Sequence, residues 1–263
     1  MTFFRVLRTD KQMGFGALII GDEILRGKRQ DKHLAKLIDI LAARGLKLDW
    51  AQYLGDDPAL ITATLRRTLA SGDIVFSFGG IGATPDDHTR ACAALAAGVE
   101  LRLHPQAEAE MRARWGAETT ELRLKMGEFP RGSNIIPNAY NRVPGFSLGH
   151  HHFVPGFPVM AWPMVEWVLD NLYAHLFHAR PEGEAAIIVY ELPESTVTPL
   201  MIELETRYPG LKTFSLPSVG EGGERRHIEL GVRGAPADAA KAIEDMKAGV
   251  VALGGAWEPL PVT

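Results

Sequence analysis

The sequence predicts a mostly parallel α/β sheet covered by helices on both sides, followed by a smaller two-layer α/β unit. Two observations carry the prediction. Short apolar β-rich runs alternate with helical patterns over the first two thirds of the chain, and such alternation implies right-handed crossovers between parallel strands. Near residues 179–184 the composition turns to Pro, Gly and charge, which marks a domain boundary. Residues 14–180 then form the larger domain, residues 181–263 the smaller one, and residues 1–13 a lead-in without an assigned role.

The balance of 46% hydrophobic and 23% charged residues over 263 positions is that of a soluble chain with a full core. The net charge of −4, with Lys and Arg dispersed, shows no footprint for nucleic acid or an anionic membrane. No apolar run is long enough to span a bilayer, and Arg5 and Arg8 interrupt any signal-peptide pattern, so a cytoplasmic protein is expected. Cys92 is the only cysteine, which excludes an internal disulfide and a cysteine metal cluster; its alanine neighbours suit a small core residue.

Residues 15–20 (FGALII) read as a strand buried on both faces, stopped by the Gly21-Asp22-Glu23 loop. A helix follows from Asp31, with Leu34, Leu37, Ile38 and Leu41 at helical spacing and Gly45 closing it. Residues 46–54 form the next strand, ended by Gly55-Asp56-Asp57-Pro58, with Pro58 in the first turn of another helix. Residues 73–78 form a third buried strand. It runs into Gly79-Gly80-Ile81-Gly82-Ala83-Thr84-Pro85-Asp86-Asp87, where the glycines permit a sharp turn and close approach of a ligand. Thr84 is expected to cap a helix that continues from Asp87 to Gly98. Residues 99–103 suit a strand and residues 105–127 one or two charged helices. Residues 135–146 are turn-rich and extended. His150, His151 and His152 are expected in a turn or strand edge, because adjacent side chains on a strand diverge and cannot share one ion. Residues 153–158 end a strand in a rigid turn before an apolar-faced helix over residues 160–177. The smaller domain reads βαββα: strands at 185–191, 211–216 and 227–232, helices at 195–208 and 237–253.

Three strand ends thus carry carboxylates on one sheet edge: Asp22 and Glu23, Asp56 and Asp57, Asp86 and Asp87. In open α/β sheets ligands bind outside the carboxyl ends of the strands, where glycine-loop amides suit phosphate. Paired carboxylates repel bare phosphate but suit one that arrives with a divalent metal. A helix N-cap is the plain alternative for any single pair.

The motifs Gly21-Asp22-Glu23-Ile24-Leu25-x-Gly27, Gly55-Asp56-Asp57 and Gly79-Gly80-Ile81-Gly82-Ala83-Thr84-Pro85-Asp86-Asp87-x-Thr89 together resemble the molybdopterin-binding domain of the Mog/MoaB proteins. More closely, the chain resembles the N-terminal part of the competence- and damage-inducible CinA family, whose later segments are matched by residues 138–145 and 154–158. The resemblance implies a three-layer α/β/α domain that binds a pterin or an adenine-containing dinucleotide. It further implies chemistry at a phosphoanhydride: hydrolysis of ADP-ribose with Mg, Mn or Co in the CinA-like branch, cleavage of FAD in a related domain of FAD synthases, or adenylylation of molybdopterin in Mog-type relatives. Asp56 or Asp57 and Asp86 or Asp87 are implied as catalytic carboxylates, with Asp57, Asp86 and Asp87 as metal ligands. Gly79, Gly80, Gly82 and Thr84 would contact phosphate, and Gly21, Asp22, Glu23, Asn138, Arg142 and Gly156 would complete the substrate surface. Partners by analogy are a small nucleotide or pterin ligand and further copies of the chain in a homo-oligomer. The chain departs from the usual CinA pattern at His33 (Asn), Ala83 (Pro), Asn141-Arg142 (Gly-Thr) and Met160 (Glu). No counterpart of the C-terminal amidohydrolase domain follows within the 263 residues, so deamidation of nicotinamide mononucleotide is not expected of them.

Overall fold

The computed structural model describes residues 13–179, 181–218, 220 and 225–260. The lead-in assigned to the N-terminus falls almost wholly outside these residues. The chain divides into two units, residues 1–178 and 179–263.

The larger unit runs β1 (Phe15–Ile20), α1 (Asp22–Leu25), α2 (His33–Ala42), β2 (Trp50–Leu54), α3 (Pro58–Ser71), β3 (Ile74–Phe78), α4 (Thr89–Ala97), β4 (Leu101–Leu103), α5 (Pro105–Trp115), α6 (Glu121–Leu124), β5 (Glu128–Pro130), β6 (Asn134–Ile136), β7 (Gly145–Leu148), β8 (His151–Val154) and α7 (Pro158–Leu172). Its main sheet has the order β2-β1-β3-β8-β7-β6. Pairings among β2, β1, β3 and β8 are parallel, whereas β7 and β6 close the far side antiparallel. Every residue of β1 and β3 is buried, as a strand covered on both faces requires. Successive side chains point to opposite faces, so Ala17, Ile19, Phe76 and Phe78 join one core with α2 and α7. Leu18, Ile20 and Val75 join the other with Ile61, Leu65, Cys92 and a stack of Phe129, Phe146 and Phe153.

Three local expectations are corrected. His151 and His152 do not lie at a sheet edge: they belong to β8, between β3 and β7, at 1% and 0% exposure. Burial is tolerated because each ring is hydrogen-bonded and neutral. His151 Nε2 pairs with Thr68 Oγ1 at 2.9 Å, and His152 bridges Ser147 Oγ (2.8 Å) and Tyr173 OH (2.8 Å). Desolvation, reinforced by the neighbouring histidines, pushes the His151 and His152 pKa values down to about 4 and about 3. Secondly, Thr84 does not cap a helix. The helix begins at Thr89, and the Asp87 carboxylate instead folds back onto the Thr84 amide (2.8 Å) and hydroxyl (2.5 Å). Thirdly, the Asp22 loop is a short helical turn, α1.

The smaller unit runs β9 (Gly183–Tyr190), α8 (Glu194–Arg207), β10 (Lys212–Ser218), β11 (His227–Gly234), α9 (Pro236–Ala252) and β12 (Ala256–Pro259). Its sheet has the order β10-β11-β9-β12, all antiparallel, with a core of Ile187, Val189, Leu230 and Val232 against Val197, Leu204, Ala242 and Met246. The βαββα reading omitted β12. That strand has four residues, ends in Pro259 and is mostly exposed, so no apolar alternation announced it. No described helix is long and apolar enough to cross a membrane.

Candidate functional site

Parallel pairing of β2, β1 and β3 brings their carboxyl ends to one edge, and each delivers a loop there. The first two loops are locked to each other. The Asp22 amide donates to Asp56 Oδ2 (2.9 Å), the Asp56 amide donates to Asp22 Oδ1 (3.3 Å), and the Gly21 amide donates to Leu54 O (3.0 Å). A Cβ on Gly55 would stand 2.6 Å from Asp22 Oδ1, so this closeness needs glycine. Asp22 also pairs with Arg26 at 2.6 Å.

The third loop is built by Gly79 and Gly80, whose φ values of +99° and +69° lie where side chains with a Cβ are strained. The Gly79 amide donates to Val154 O (3.1 Å), anchoring the turn to β8. Carbonyls then face inward: Gly80 O accepts from the Thr89 amide (2.9 Å) and Gly82 O from Arg90 Nη2 (2.6 Å). The amides of Gly80, Ile81, Gly82 and Ala83 donate to no acceptor among the described residues. Thr89 Oγ1, buried and without a hydrogen-bond partner among the described residues, lies beneath Gly80, where an added Cβ would come within 2.2 Å of it. Successive amides left free in this way are the kind of backbone that can receive an anion.

Electrostatics ties the loops together. Asp56 is held above the usual carboxylate range by burial and by the negative charges of Asp22, Glu23 and Asp86, although the Asp22 amide opposes this. Asp57 serves otherwise: its carboxylate caps α3, accepting from the Ala59 (2.7 Å) and Leu60 (3.1 Å) amides. Among the described residues no group of three or more His, Cys, Asp or Glu side chains is arranged to hold a metal ion. The side-chain donors at this edge, the Asp22, Glu23, Asp56 and Asp86 carboxylates, are all oxygens, the kind a hard divalent cation takes.

Gly156 joins this edge. A Cβ on it would lie 3.5 Å from Gly79 Cα, and its carbonyl accepts from His33 Nε2 (3.1 Å), whose ring stacks on Phe78. Asn138 and Arg142 are engaged elsewhere. Asn138 staples its own loop through Val143 O (2.9 Å) and the Tyr140 amide (3.1 Å), while Arg142 pairs with Glu110 at 2.8 Å. Both line a separate groove of about 390 Å³ with Trp167. Sequence reading missed Arg90 and His33 as parts of the loop's support. For Arg90 the signal was its position, a residue after the acidic motif's Thr89; His33 opens α2 and had drawn notice only as a departure from the family pattern.

A parallel sheet with a glycine loop and acidic turns at its carboxyl edge defines an open-sheet α/β domain, a class in which ligands bind at that edge. The model of a family described as probable molybdopterin binding domain matches residues 16–175, and the chain belongs to that family. Within it the chain is similar to CinA-like proteins. It is 31% identical over 259 residues to one from Anaeromyxobacter sp. (strain Fw109-5), covering 89% of this chain and 63% of that relative. A protein of Aeropyrum pernix is 29% identical over 90% of this chain and 93% of its own. The crystal structure of CinA from Thermoplasma acidophilum, described as of unknown function, superposes with TM-score 0.55 at 27% identity, over 60% of this chain and 98% of that one. The chain spans less than two thirds of the length of the first CinA-like relatives it matches.

Proposed function

We propose that the protein holds a nucleotide- or pterin-bearing phosphoanhydride on the Gly79–Gly82 loop and hydrolyses it with a divalent cation, ADP-ribose being the model substrate. The observation that carries this is the run of unpartnered amides at Gly80, Ile81, Gly82 and Ala83 beside Asp56, a carboxylate crowded by three others. The amides would hold phosphate oxygens and stabilise the charge that develops as a phosphate accepts a nucleophile. Asp56 has one oxygen committed to the Asp22 amide, leaving Oδ1 to take the proton from an attacking water. Its raised pKa makes it the better base of the set. Water's oxygen bonds to phosphorus, the anhydride P–O bond breaks, and AMP and ribose 5-phosphate leave. A cation bound by Asp86 with the ligand's phosphates would neutralise the negative charge there and leave Asp56 as the base.

A binding module without chemistry is the second reading. It is favoured by the absence, among the described residues, of a preformed metal cluster and by the capping duty of Asp57. Molybdopterin adenylylation ranks third and would require ATP consumption that depends on added molybdopterin. Incubation with ADP-ribose, FAD and NAD plus Mg, Mn or Co, with AMP as the readout, separates the first two. Turnover lost in Asp56→Asn while ligand binding persists supports hydrolysis, and no turnover with any pair leaves the binding module.

A further inference from the structure

Arg90 is the second residue of α4 and only 7% exposed, yet it is a full charge on the inner side of the glycine loop. Its guanidinium spans two segments. Nη2 donates to Gly82 O (2.6 Å) in the glycine loop, and Nη1 donates to Lys125 O and to Glu128 O (3.4 Å) where β5 begins. Nε is buried without a hydrogen-bond partner among the described residues. Among the described residues no carboxylate forms an ion pair with Arg90; Asp87 and Glu128 act on it only at longer range. A buried charge is costly unless it is matched, and carbonyl oxygens supply partial charge but no counter-ion.

We propose that Arg90 is a positioning residue that turns the Gly82 carbonyl inward, frees the loop amides for an anion, and places beneath them a positive charge with no carboxylate at ion-pair distance, which a ligand phosphate completes. This rests on the reading of the loop as a phosphate cradle. Arginine suits the task because its planar fork reaches both segments at once and stays charged, whereas a lysine ammonium reaches one. The device also solves a conflict at this edge: the carboxylates of Asp22, Asp56 and Asp86 repel phosphate, and Arg90 sets a cation on the opposite side of the same loop.

The test is calorimetric titration of the intact chain with inorganic pyrophosphate, with and without Mg, for the wild type, Arg90→Lys and Arg90→Gln. It is accompanied by amide NMR of Gly80, Ile81, Gly82 and Ala83. Arg90→Lys keeps the charge and loses the two-segment grip, so affinity is expected to fall about tenfold with displaced loop amide signals. Arg90→Gln is expected to fall further and to lose part of the salt dependence of binding, a change that a merely structural role would not produce. If Arg90→Gln does not fold, Arg90→Lys decides alone. A wild type that binds no pyrophosphate overturns the cradle reading itself. A wild type that binds, with a folded variant that binds within about twofold and shows unshifted loop amides, overturns the role of Arg90 alone.

Discussion

Acidification is expected to destabilise the larger unit well before its carboxylates titrate, and the cause is β8. His151 and His152 are buried and neutral, with pKa values lowered from 6.5 to about 4 and about 3. In the unfolded chain both return to the ordinary value, so below pH 6.5 the unfolded state binds protons that the folded state refuses. Stability is therefore complete above that value, falls as pH drops, and stops falling only below the folded pKa values. Each histidine contributes about 1.4 kcal/mol per pH unit in that window, and the pair together about 5 kcal/mol by roughly pH 4.5. That is a large fraction of the stability of an ordinary domain. The groups facing the pair are His150, Asp73 and Tyr173; the Asp73 charge raises His151, and His150 lowers both. Urea unfolding at a series of pH values from 7.5 to 4.5, followed by far-ultraviolet dichroism, gives the slope, and histidine ring NMR gives the protonation directly. His152→Gln should reduce the slope by about one proton. A stability that stays flat from pH 7 to 5, or His152 ring signals that titrate near 6.5 in the folded protein, would refute the reasoning.

Gly80→Ala should cost about 1–3 kcal/mol and weaken pyrophosphate binding, because φ is +69° and the new Cβ meets Thr89 Oγ1; calorimetry on Gly80→Ala and on the double change with Thr89→Ala separates strain from collision. Asp57→Ala should lower stability by about 1 kcal/mol while Asp57→Asn nearly preserves it, since the Ala59 and Leu60 amides donate to the side-chain oxygen of either residue; thermal denaturation checks this, and equal losses in the two variants would argue against the cap. Phe146→Ala should cost about 3–5 kcal/mol, as Phe146 is fully buried between Phe129 and Phe153 with ring centroids at 4.7 and 4.4 Å; a smaller loss in urea unfolding would mean that the stack collapses to fill the space.

The sheet was legible because its strands are buried on both faces. FGALII and IVFSF are continuous apolar runs, and the glycine at the end of each marks where the chain leaves the core. The short strands β5 and β12 were not, since they have three and four residues and partner one neighbour each, whereas β4 falls within the strand expected at residues 99–103. His151 and His152 looked like surface residues because a sequence prices polarity without showing its partners; Thr68, Ser147 and Tyr173, which satisfy them, lie as far as 83 positions away. At the site, the acidic loops and glycines were legible as types, but their division of labour was not. Asp57 and Asp56 are adjacent in sequence, yet one faces the α3 amides and the other faces Asp22. Arg90 was invisible for the opposite reason: a lone arginine at a helix start reads as surface charge until its burial is seen.

Both outer strands of the smaller sheet, β10 and β12, carry a proline, Pro217 in one and Pro259 in the other. A proline has no N–H to offer a newcomer, so each border is interrupted as a template for a further strand. The four-stranded sheet is thereby self-limiting. Copies of this unit that meet at high concentration are discouraged from pairing edge to edge.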